Sequence, residues 1–591
     1  AEIGMRCGFY NISNFNRAFR ERIGSPPGDY RRKFGSTVIS PDAKQVEEIG
    51  RKLDEMRCGQ DSAGGAGGQS PCQRLTNPFS GTIDVFLDTQ SPALQTEKAT
   101  SAEAAFYRSD IRRGLAQFEF EGIVHDDPLL RSRLLHLFVF LHHDSQFRTG
   151  HGFADADVER RDERRETRRL LDHLRHPEIV TQPGFVRSDV VELGDCKAEA
   201  LQDEAGNIYP VQKTADGAVA FLNNLPAKGS KTFAVVPAQV SAAPFEIATD
   251  GHKIDTPFYT VTFDEHGQMT GIFDKENRRE VLKPGQAGNL FRVYEDKPIY
   301  YDNWDIDIFY TEKFWDVTDL QDFTWTENGP VRATLHIERN YSNSTLVQDI
   351  HFYAKQRRIE FVTTVDWHEH QSLLKVHFPV NVHTDEATFE IQYGNLTRKT
   401  HANTSWDRAR FESCGQKWMD LSEGHYGVSM LNDCKYGHSV KDSVIGLTLI
   451  KSGIEPNPTT DQEVHHFTYA IYPHAEKWQA AGTVPQAFFL NQPALAVQGG
   501  KPGESFSLAG LDAPNVVLET IKRAEDGDGA IVRMYECENS LTNVTLDWNL
   551  PFHAAESCNC LEQPDGEPVE VKDGKITFTV KPYEIKTIRI R

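Results

Sequence analysis

Short runs of alternating apolar and polar residues between positions 373 and 474 constrain the fold of this chain more than any other feature. The runs KVHFPVNV, TFEIQYG and VIGLTLI repeat with a period of two residues, which is the pattern of strands that bury one face. Clusters of Gly, Asn, Asp and Pro separate the runs, and these residues break strands and form turns. The sequence therefore predicts a β-sheet arrangement in this part of the chain.

Aromatic and hydrogen-bonding side chains lie between these runs. They are Trp406, Trp418, Asn432, Asp433, Lys435 and Tyr436. Together they are typical of a cleft that binds carbohydrate, because such clefts combine aromatic faces with a few placed polar groups. The alternative interpretation is that the Trp residues belong to the core and that the polar groups satisfy turns.

Length and composition exclude several classes of protein. With 591 residues the chain is long enough to hold several domains. Its formal net charge of -22 argues against nonspecific binding of nucleic acid or anionic membranes by the whole molecule. The sequence has no long apolar run and does not open on a signal-peptide pattern, and its nine cysteines are unevenly placed. We therefore expect a soluble, cytoplasmic protein with free thiols.

The first 34 residues differ from the rest of the chain in charge, with seven Lys or Arg against three Asp or Glu. The stretch GFYNISNFNRAFRERIGSPPGDYRR resembles the second helix-turn-helix of AraC/XylS-type transcription regulators. That resemblance implies that a helix over about residues 12–23 enters the major groove, with Ser13, Asn14 and Arg17 as DNA-contact candidates. Because so short a fragment cannot bury enough surface to fold alone, a helical appendage without DNA function is the alternative.

Residues 35–183 stay unassigned, with a linker-like or disordered composition. They include the flexible stretch QDSAGGAGGQ and a run of Arg residues alternating with acids at 155–176. His142, His143 and Asp144 are residue types that bind zinc, but no further ligand follows at a suitable spacing. We therefore predict surface histidines there and no metal site.

From about residue 186 to residue 591 the chain resembles the C-terminal β half of glycoside hydrolase family 38, the α-mannosidases. The resemblance rests on an ordered series of motifs: KVHFPV, EIQYGNLTRKTHANTSWD, KWMDLSEGHYGVSMLNDCKYG, HHFTYAIYPH and ITFTVKPYEIKTIRIR. It implies a mainly β fold in which a large antiparallel β super-sandwich is flanked by smaller β-sandwich domains. A short α-helical helix-turn-helix fragment and a poorly defined middle region precede it.

This interpretation divides the chain into five parts. They are the helix-turn-helix fragment at 1–34, the unassigned region at 35–183, a small β domain at 184–241, the central β super-sandwich at 242–500 and a C-terminal β-sandwich at 501–591.

Acidic and aromatic residues also cluster in the stretch NLFRVYEDKPIYYDNWDIDIFY, where Asp302, Trp304 and Asp305 lie on a predicted loop. Two carboxylates could form an acid and base pair of the kind that glycosidases use. However, the loop resembles the D-x-W-D-I-D loop of the family, which lies beyond the catalytic domain. The carbohydrate-contact candidates are therefore Asp302, Trp304, Asp305, Asn432, Asp433, Lys435 and Tyr436.

By the same resemblance, family 38 enzymes are zinc-dependent retaining α-mannosidases whose nucleophile and zinc ligands belong to an N-terminal barrel and the helical domain after it. Residues 1–184 show no counterpart of those motifs. We therefore predict no catalytic residue, metal ligand or cofactor in this chain, although the full-length family uses zinc.

The functional expectation is an α-mannosidase-related protein of mannose metabolism that binds α-mannosides and has no turnover alone. One alternative is a sugar-linked DNA-binding transcription regulator that contacts DNA through residues 1–34. Another is a carbohydrate-binding scaffold for a separate catalytic half. The sequence predicts no membrane association and leaves the oligomeric state open.

Overall fold

A computed structural model of the protein describes residues 176–237, 242–498 and 503–591. These residues form mainly β structure arranged in seven sheets, so the predicted fold class is confirmed. The helix-turn-helix fragment, with Ser13, Asn14 and Arg17, lies outside the described residues, as does most of the unassigned region. None of the helices in the described ranges is long and apolar enough to cross a lipid bilayer.

The first described segment contributes seven strands, and residues of the first five belong to one small core. They are β1 (Pro177–Thr181), β2 (Arg187–Glu192), β3 (Ala200–Gln202), β4 (Ile208–Thr214), β5 (Gly217–Leu225), β6 (Gly229–Thr232) and β7 (Ala234–Val236). Five of them form a sheet in the order β2-β5-β4-β3-β7. Its core includes Leu201, Leu222 and Phe233, which are completely buried.

The central segment contains twenty strands, one 3-10 turn at Ile308–Glu312 and three short α-helices. The first ten strands are β8 (Glu246–Ile247), β9 (Lys253–Asp255), β10 (Tyr259–Phe263), β11 (Met269–Asp274), β12 (Arg279–Glu280), β13 (Leu290–Glu295), β14 (Phe314–Asp316), β15 (Asp319–Asn328), β16 (Arg332–Tyr341) and β17 (Ser344–Tyr353). The next ten are β18 (Ile359–Asp366), β19 (Ser372–Pro379), β20 (Glu386–Ile391), β21 (Gly394–Lys399), β22 (Ser413–Cys414), β23 (Trp418–Ser422), β24 (Tyr426–Asn432), β25 (Gly437–Lys441), β26 (Val444–Ser452) and β27 (Val464–Ala475). The helices are α1 (Ser405–Arg408), α2 (Trp478–Ala481) and α3 (Thr483–Asn491).

Three antiparallel sheets build the central segment. Their strand orders are β12-β11-β10-β9-β8, β14-β13-β19-β26-β25-β22 and β15-β16-β17-β18-β27-β24-β23-β20-β21. The ring of Phe378, on the six-stranded sheet, lies 5.5 Å from that of Phe361, on the nine-stranded sheet. Both residues belong to one large buried cluster, so the two sheets pack face to face.

The C-terminal segment adds ten strands. They are β28 (Leu495–Gln498), β29 (Ser505–Ser507), β30 (Ala509–Leu511), β31 (Val516–Arg523), β32 (Ala530–Glu536), β33 (Thr542–Trp548), β34 (Ala555–Cys558), β35 (Glu570–Lys572), β36 (Lys575–Val580) and β37 (Ile585–Ile590). Two four-stranded sheets, β30-β33-β36-β35 and β31-β32-β37-β34, enclose a separate core. The rings of Trp418 and Trp478, 4.9 Å apart, lie in a cluster with Val517 and Tyr535, which joins this sandwich to the central segment.

One further sheet combines the two ends of the described chain, in the order β28-β1-β6-β29. Strand β1 lies within the range that the sequence left unassigned, because the run PEIVT is short and follows a charged stretch. Strands β28 and β29 lie on opposite sides of the predicted boundary between residues 500 and 501. The five-part division stays a prediction.

A buried ionic network joins β2, β18 and α3. The carboxylate of Asp189 is 1% exposed and pairs with the guanidinium groups of Arg187 and Arg358, the latter at 3.1 Å. Arg187 also donates to the main-chain oxygen of Gln492 over 2.7 Å, just beyond α3, and Arg358 pairs with Glu360. Burial would raise the pKa of the Asp189 carboxyl, but the guanidinium groups of Arg358 and Arg187 outweigh it and lower that pKa.

Replacing Asp189 tests the contribution of this network. In Asp189→Ala two buried guanidinium groups lose their shared carboxylate, and removal of one partner from a buried ion pair costs about 3–5 kcal/mol. We expect a corresponding fall in the free energy of unfolding, measured by urea unfolding followed by tryptophan fluorescence. Asp195→Ala, at an exposed position of the same segment, should leave the midpoint unchanged. Equal midpoints for the two variants would contradict this assignment.

Candidate functional site

Large apolar side chains are exposed along the loop that follows β13 and along β14. We call residues 299–315 the aromatic segment; its exposed members are Ile299, Tyr300, Tyr301, Trp304, Phe309, Phe314 and Trp315. Trp304 is 71% exposed and Tyr300 is 70% exposed, which is unusual for rings of this size. A concentration of exposed apolar groups on a protein marks a surface that binds a ligand or a partner.

The buried carboxylate of Asp302 holds this loop in place. It accepts the backbone N–H groups of Ile454 at 2.9 Å and Glu455 at 2.7 Å, and the side chain of Gln371 at 3.2 Å. Burial would raise the pKa of Asp302, but the N–H donors of Glu455 and Ile454 outweigh it and lower that pKa. Asp302 therefore acts inside the protein as an anchor between the loop and the end of β26.

Trp304 and Asp305 point the other way. Their backbone N–H groups both bond to the carbonyl oxygen of Tyr301, at 2.8 and 3.0 Å, which makes a tight turn with both side chains exposed. The rings of Tyr301 and Trp304 lie 5.3 Å apart. One carboxylate of the predicted cluster is thus buried and satisfied, and the other is open to solvent. That any of them contacts carbohydrate stays a prediction.

A buried polar layer lies beneath the aromatic segment. Along β19, Lys375 and His377 face away from the central core and are covered by the 3-10 turn and residues 411–412. Lys375 pairs with Glu412, which also accepts the hydroxyl of Tyr310. The Tyr294 hydroxyl lies 2.9 Å from Nε2 of His377, and burial lowers the pKa of His377 to about 3, so this imidazole is neutral at physiological pH.

The sequence pattern of β19 predicts only half of this burial. In KVHFPV the residues alternate, which predicts one buried face and one face in solvent. Leu374, Val376 and Phe378 do lie in the core. The opposite face is also buried, because a segment distant in sequence covers it. Local alternation cannot reveal such a cover.

The second predicted group lies between β24 and β25. Asn432 is completely buried; its side chain donates to the Gln416 carbonyl over 2.9 Å and accepts the Lys435 N–H at 2.7 Å. Asp433 accepts the N–H of Thr468 at 3.1 Å. These contacts organise the loop itself, as the alternative of satisfied turns predicts.

Lys435 and Tyr436 complete this second group. The ammonium of Lys435 lies 4.8 Å from the centre of the Phe467 ring, a cation–π contact. Tyr436 is 37% exposed. Tyr436 is therefore the most exposed member of the second group, and its contact with carbohydrate stays a prediction.

Residues 411–417 contact both the aromatic segment and the second predicted group. At one end Phe411 packs against Tyr310, with ring centres 6.3 Å apart, and Glu412 accepts the Tyr310 hydroxyl. At the other end the N–H of Gly415 bonds to the Tyr436 carbonyl at 3.0 Å. The aromatic segment and the second group thus border one stretch of chain.

The two tryptophans of the central stretch have different environments. Trp418 is 1% exposed and belongs to the core, in agreement with the alternative interpretation. Trp406 is 77% exposed on α1.

Comparison with known proteins identifies the central and C-terminal segments. Residues 254–459 match the model "Glycosyl hydrolases family 38 C-terminal domain", and residues 515–588 match "Glycosyl hydrolases family 38 C-terminal beta sandwich domain". These two stretches of the chain thus correspond to the C-terminal domains of glycosyl hydrolase family 38. The resemblance read from the motifs is therefore confirmed for these domains.

Relatives and solved structures agree with this assignment. Alpha-mannosidase 2C1 of Homo sapiens is 36% identical over 58% of this chain and 34% of its own length. Alpha-mannosidase G of Dictyostelium discoideum is 34% identical over 57% of this chain and 32% of its own length. The chain thus spans about a third of the curated relatives it matches. An alpha-mannosidase structure from Enterococcus faecalis V583 has a TM-score of 0.56 at 16% identity, covers 70% of this chain and 56% of its own, and shows the same fold.

One group of side chains among the described residues, just beyond the first matched stretch, could hold a metal ion. Single ligand atoms of Asp461, Glu463 and His465 lie within 4.8 Å of one another at the start of β27. Two carboxylates and an imidazole form a donor set that suits divalent cations. We predict no metal site from the sequence; the D-x-E-x-H spacing, which places alternate residues on one side of a strand, is the available signal for this group.

The anchoring role of Asp302 predicts a local effect of its removal. In Asp302→Ala the N–H groups of Ile454 and Glu455 lose their acceptor, at a cost of about 1–3 kcal/mol. We expect hydrogen exchange in a peptide covering residues 452–457, followed by mass spectrometry, to accelerate roughly 5- to 150-fold. Asp305→Ala, a neighbouring exposed carboxylate, is the control and should exchange like the parent. Equal exchange in both variants would show that Asp302 is not the anchor.

Proposed function

We propose that this chain has an α-mannosidase-related function, in which its family 38 C-terminal domains bind α-mannosides and the chain alone does not hydrolyse them. The observation that carries the binding part is the exposed pair of Tyr301 and Trp304 on an anchored loop. Aromatic faces present the apolar surface that the C–H faces of sugars require, and the neighbouring Asp305 carboxylate can accept hydroxyl hydrogen bonds.

The comparisons support the substrate class. The curated relatives that match are called alpha-mannosidases, and the matching family models belong to that family's C-terminal domains. The absence of turnover is proposed because the sequence analysis finds no counterpart of the family's nucleophile or zinc-ligand motifs in residues 1–184.

Anchoring favours binding for a physical reason. When a ligand has to order a loop in order to bind, the free-energy cost of ordering lowers the affinity. Asp302 orders this loop without ligand, through two backbone donors from the end of β26. Trp304 is therefore in position before a ligand binds. The free energy of stacking then contributes to affinity without a cost for ordering the loop.

Substitution of Trp304 tests the binding surface. We expect Trp304→Ala to weaken binding of α-mannobiose about tenfold, since an aromatic contact contributes roughly 0.5–1.5 kcal/mol beyond its buried area. Isothermal titration calorimetry measures the change. Leu541→Ala removes an exposed apolar side chain, 68% accessible, from the C-terminal sandwich and should bind like the parent. Unchanged affinity in Trp304→Ala would remove the aromatic segment from the proposal.

The hydrolytic part has its own test. The purified chain is incubated with an activated aryl α-mannoside, with and without added zinc, and bound metal is measured on the same sample. We expect no turnover in either condition. Zinc-stimulated turnover would overturn the proposal that the chain is inactive alone, and His142, His143 and Asp144 would then be the first residues to substitute.

A further inference from the structure

A polar cavity of about 500 Å³ lies where turns from the three central sheets meet. Arg279 and Lys283 border it from β12 and the residues after it, and His383 and Asp385 from the connection between β19 and β20. His401, after β21, and Asp442, in the turn before β26, also line the cavity. The volume is within the range of about 300–1,000 Å³ that small-molecule sites occupy.

Internal contacts fix one wall of this cavity. Arg279 pairs with Glu423 over 2.6 Å, and its guanidinium lies 4.1 Å from the centre of the Tyr426 ring. The other carboxylate oxygen of Glu423 accepts the backbone N–H of His383 at 2.8 Å. The wall is therefore formed before any ligand arrives, which lowers the cost of binding.

Most charges around the cavity are matched inside the protein. Arg279 is matched by Glu423, and Asp385 is matched by Lys399 at 3.0 Å. Lys283 donates to the main-chain carbonyl oxygen of Asp442. The lining itself carries two cationic side chains and three carboxylates, so an anion would meet no excess of positive charge. A neutral ligand whose hydroxyl groups both donate and accept would match this mixture of ammonium, carboxylate and imidazole groups.

An exposed aromatic residue follows the cavity-lining His401 closely along the chain. The short helix α1 follows His401, whose Nδ1 lies 3.6 Å from the Asp407 carboxylate. Asp407 also closes a capping box with Thr404, which fixes the start of the helix. Trp406, 77% exposed, is carried on this helix.

We propose that this cavity is a second saccharide-binding site, which takes a neutral oligosaccharide at its polar wall with Trp406 at its edge. The inference goes beyond the proposed function, because the cavity shares no residue with the aromatic segment. Either site can therefore lose ligand binding while the other keeps it.

The experiment counts bound α-mannobiose by isothermal titration calorimetry in the full chain and in variants of each site. The cavity variant is Asp442→Gly combined with Trp406→Ala. Position 442 has a φ of 50°, which glycine adopts freely, and Trp406 is exposed, so neither change should disturb folding. Asp573→Gly, at a φ of 52° in the turn between β35 and β36, is the matched control.

We expect the parent and the control to bind two ligands, and the cavity variant to lose one with at least a tenfold fall in that site's affinity. Trp304→Ala should keep the cavity site. Parent stoichiometry and affinity in the cavity variant would overturn the inference. Binding of inorganic phosphate in place of α-mannobiose at the cavity would also overturn it. Loss in the cavity variant with no change in Trp304→Ala would support the cavity and reject the aromatic segment.

Discussion

The buried carboxylate of Asp189 fixes how the first small sheet lies against the rest of the described chain. Its two guanidinium partners come from β2 itself and from the residue before β18, and the first of these also bonds beyond α3. A buried charge without partners is costly, so these elements stabilise one another's position. The ion pairs specify arrangement, while the apolar clusters of each segment supply most of the favourable free energy.

A buried polar network also fixes the central sandwich, but its side chains are uncharged. Between its two apolar layers, Asn289, Gln348 and Tyr469 form a closed set of hydrogen bonds of 2.6, 2.8 and 2.6 Å. Asn289 precedes the six-stranded sheet, whereas the other two residues belong to the nine-stranded sheet. Since a slip of either sheet would leave buried polar atoms unpaired, this set fixes the relative position of the two sheets in a way that packing of Phe and Ile side chains alone would not.

Much of the fold could be predicted from the sequence, since alternation and turn residues are local signals. The run VIGLTLI makes up most of β26, and the stretch predicted as a loop around Asp302 and Trp304 is a loop in the structure. The roles of the site residues could not be predicted in the same way. Asp302 is an anchor because Ile454 and Glu455, about 150 positions later, supply its donors. Asn432 is buried because Gln416 lies beside it, and Lys375 because Glu412 covers it. Each of these partners is set by tertiary structure and leaves no mark on the local pattern.

The contrast between Asp302 and Trp304 explains why a saccharide surface would be built in this form. Asp302 and Trp304 lie two residues apart but need opposite environments. The carboxylate must be shielded from solvent to hold the loop firmly, and the aromatic ring must be exposed to solvent to contact a ligand. The tight turn around Tyr301 satisfies both, because it leaves Asp302 buried and Trp304 exposed. In the proposed surface the rigid part is fixed by charge and the contact part is aromatic, so the loop is already ordered before a ligand binds.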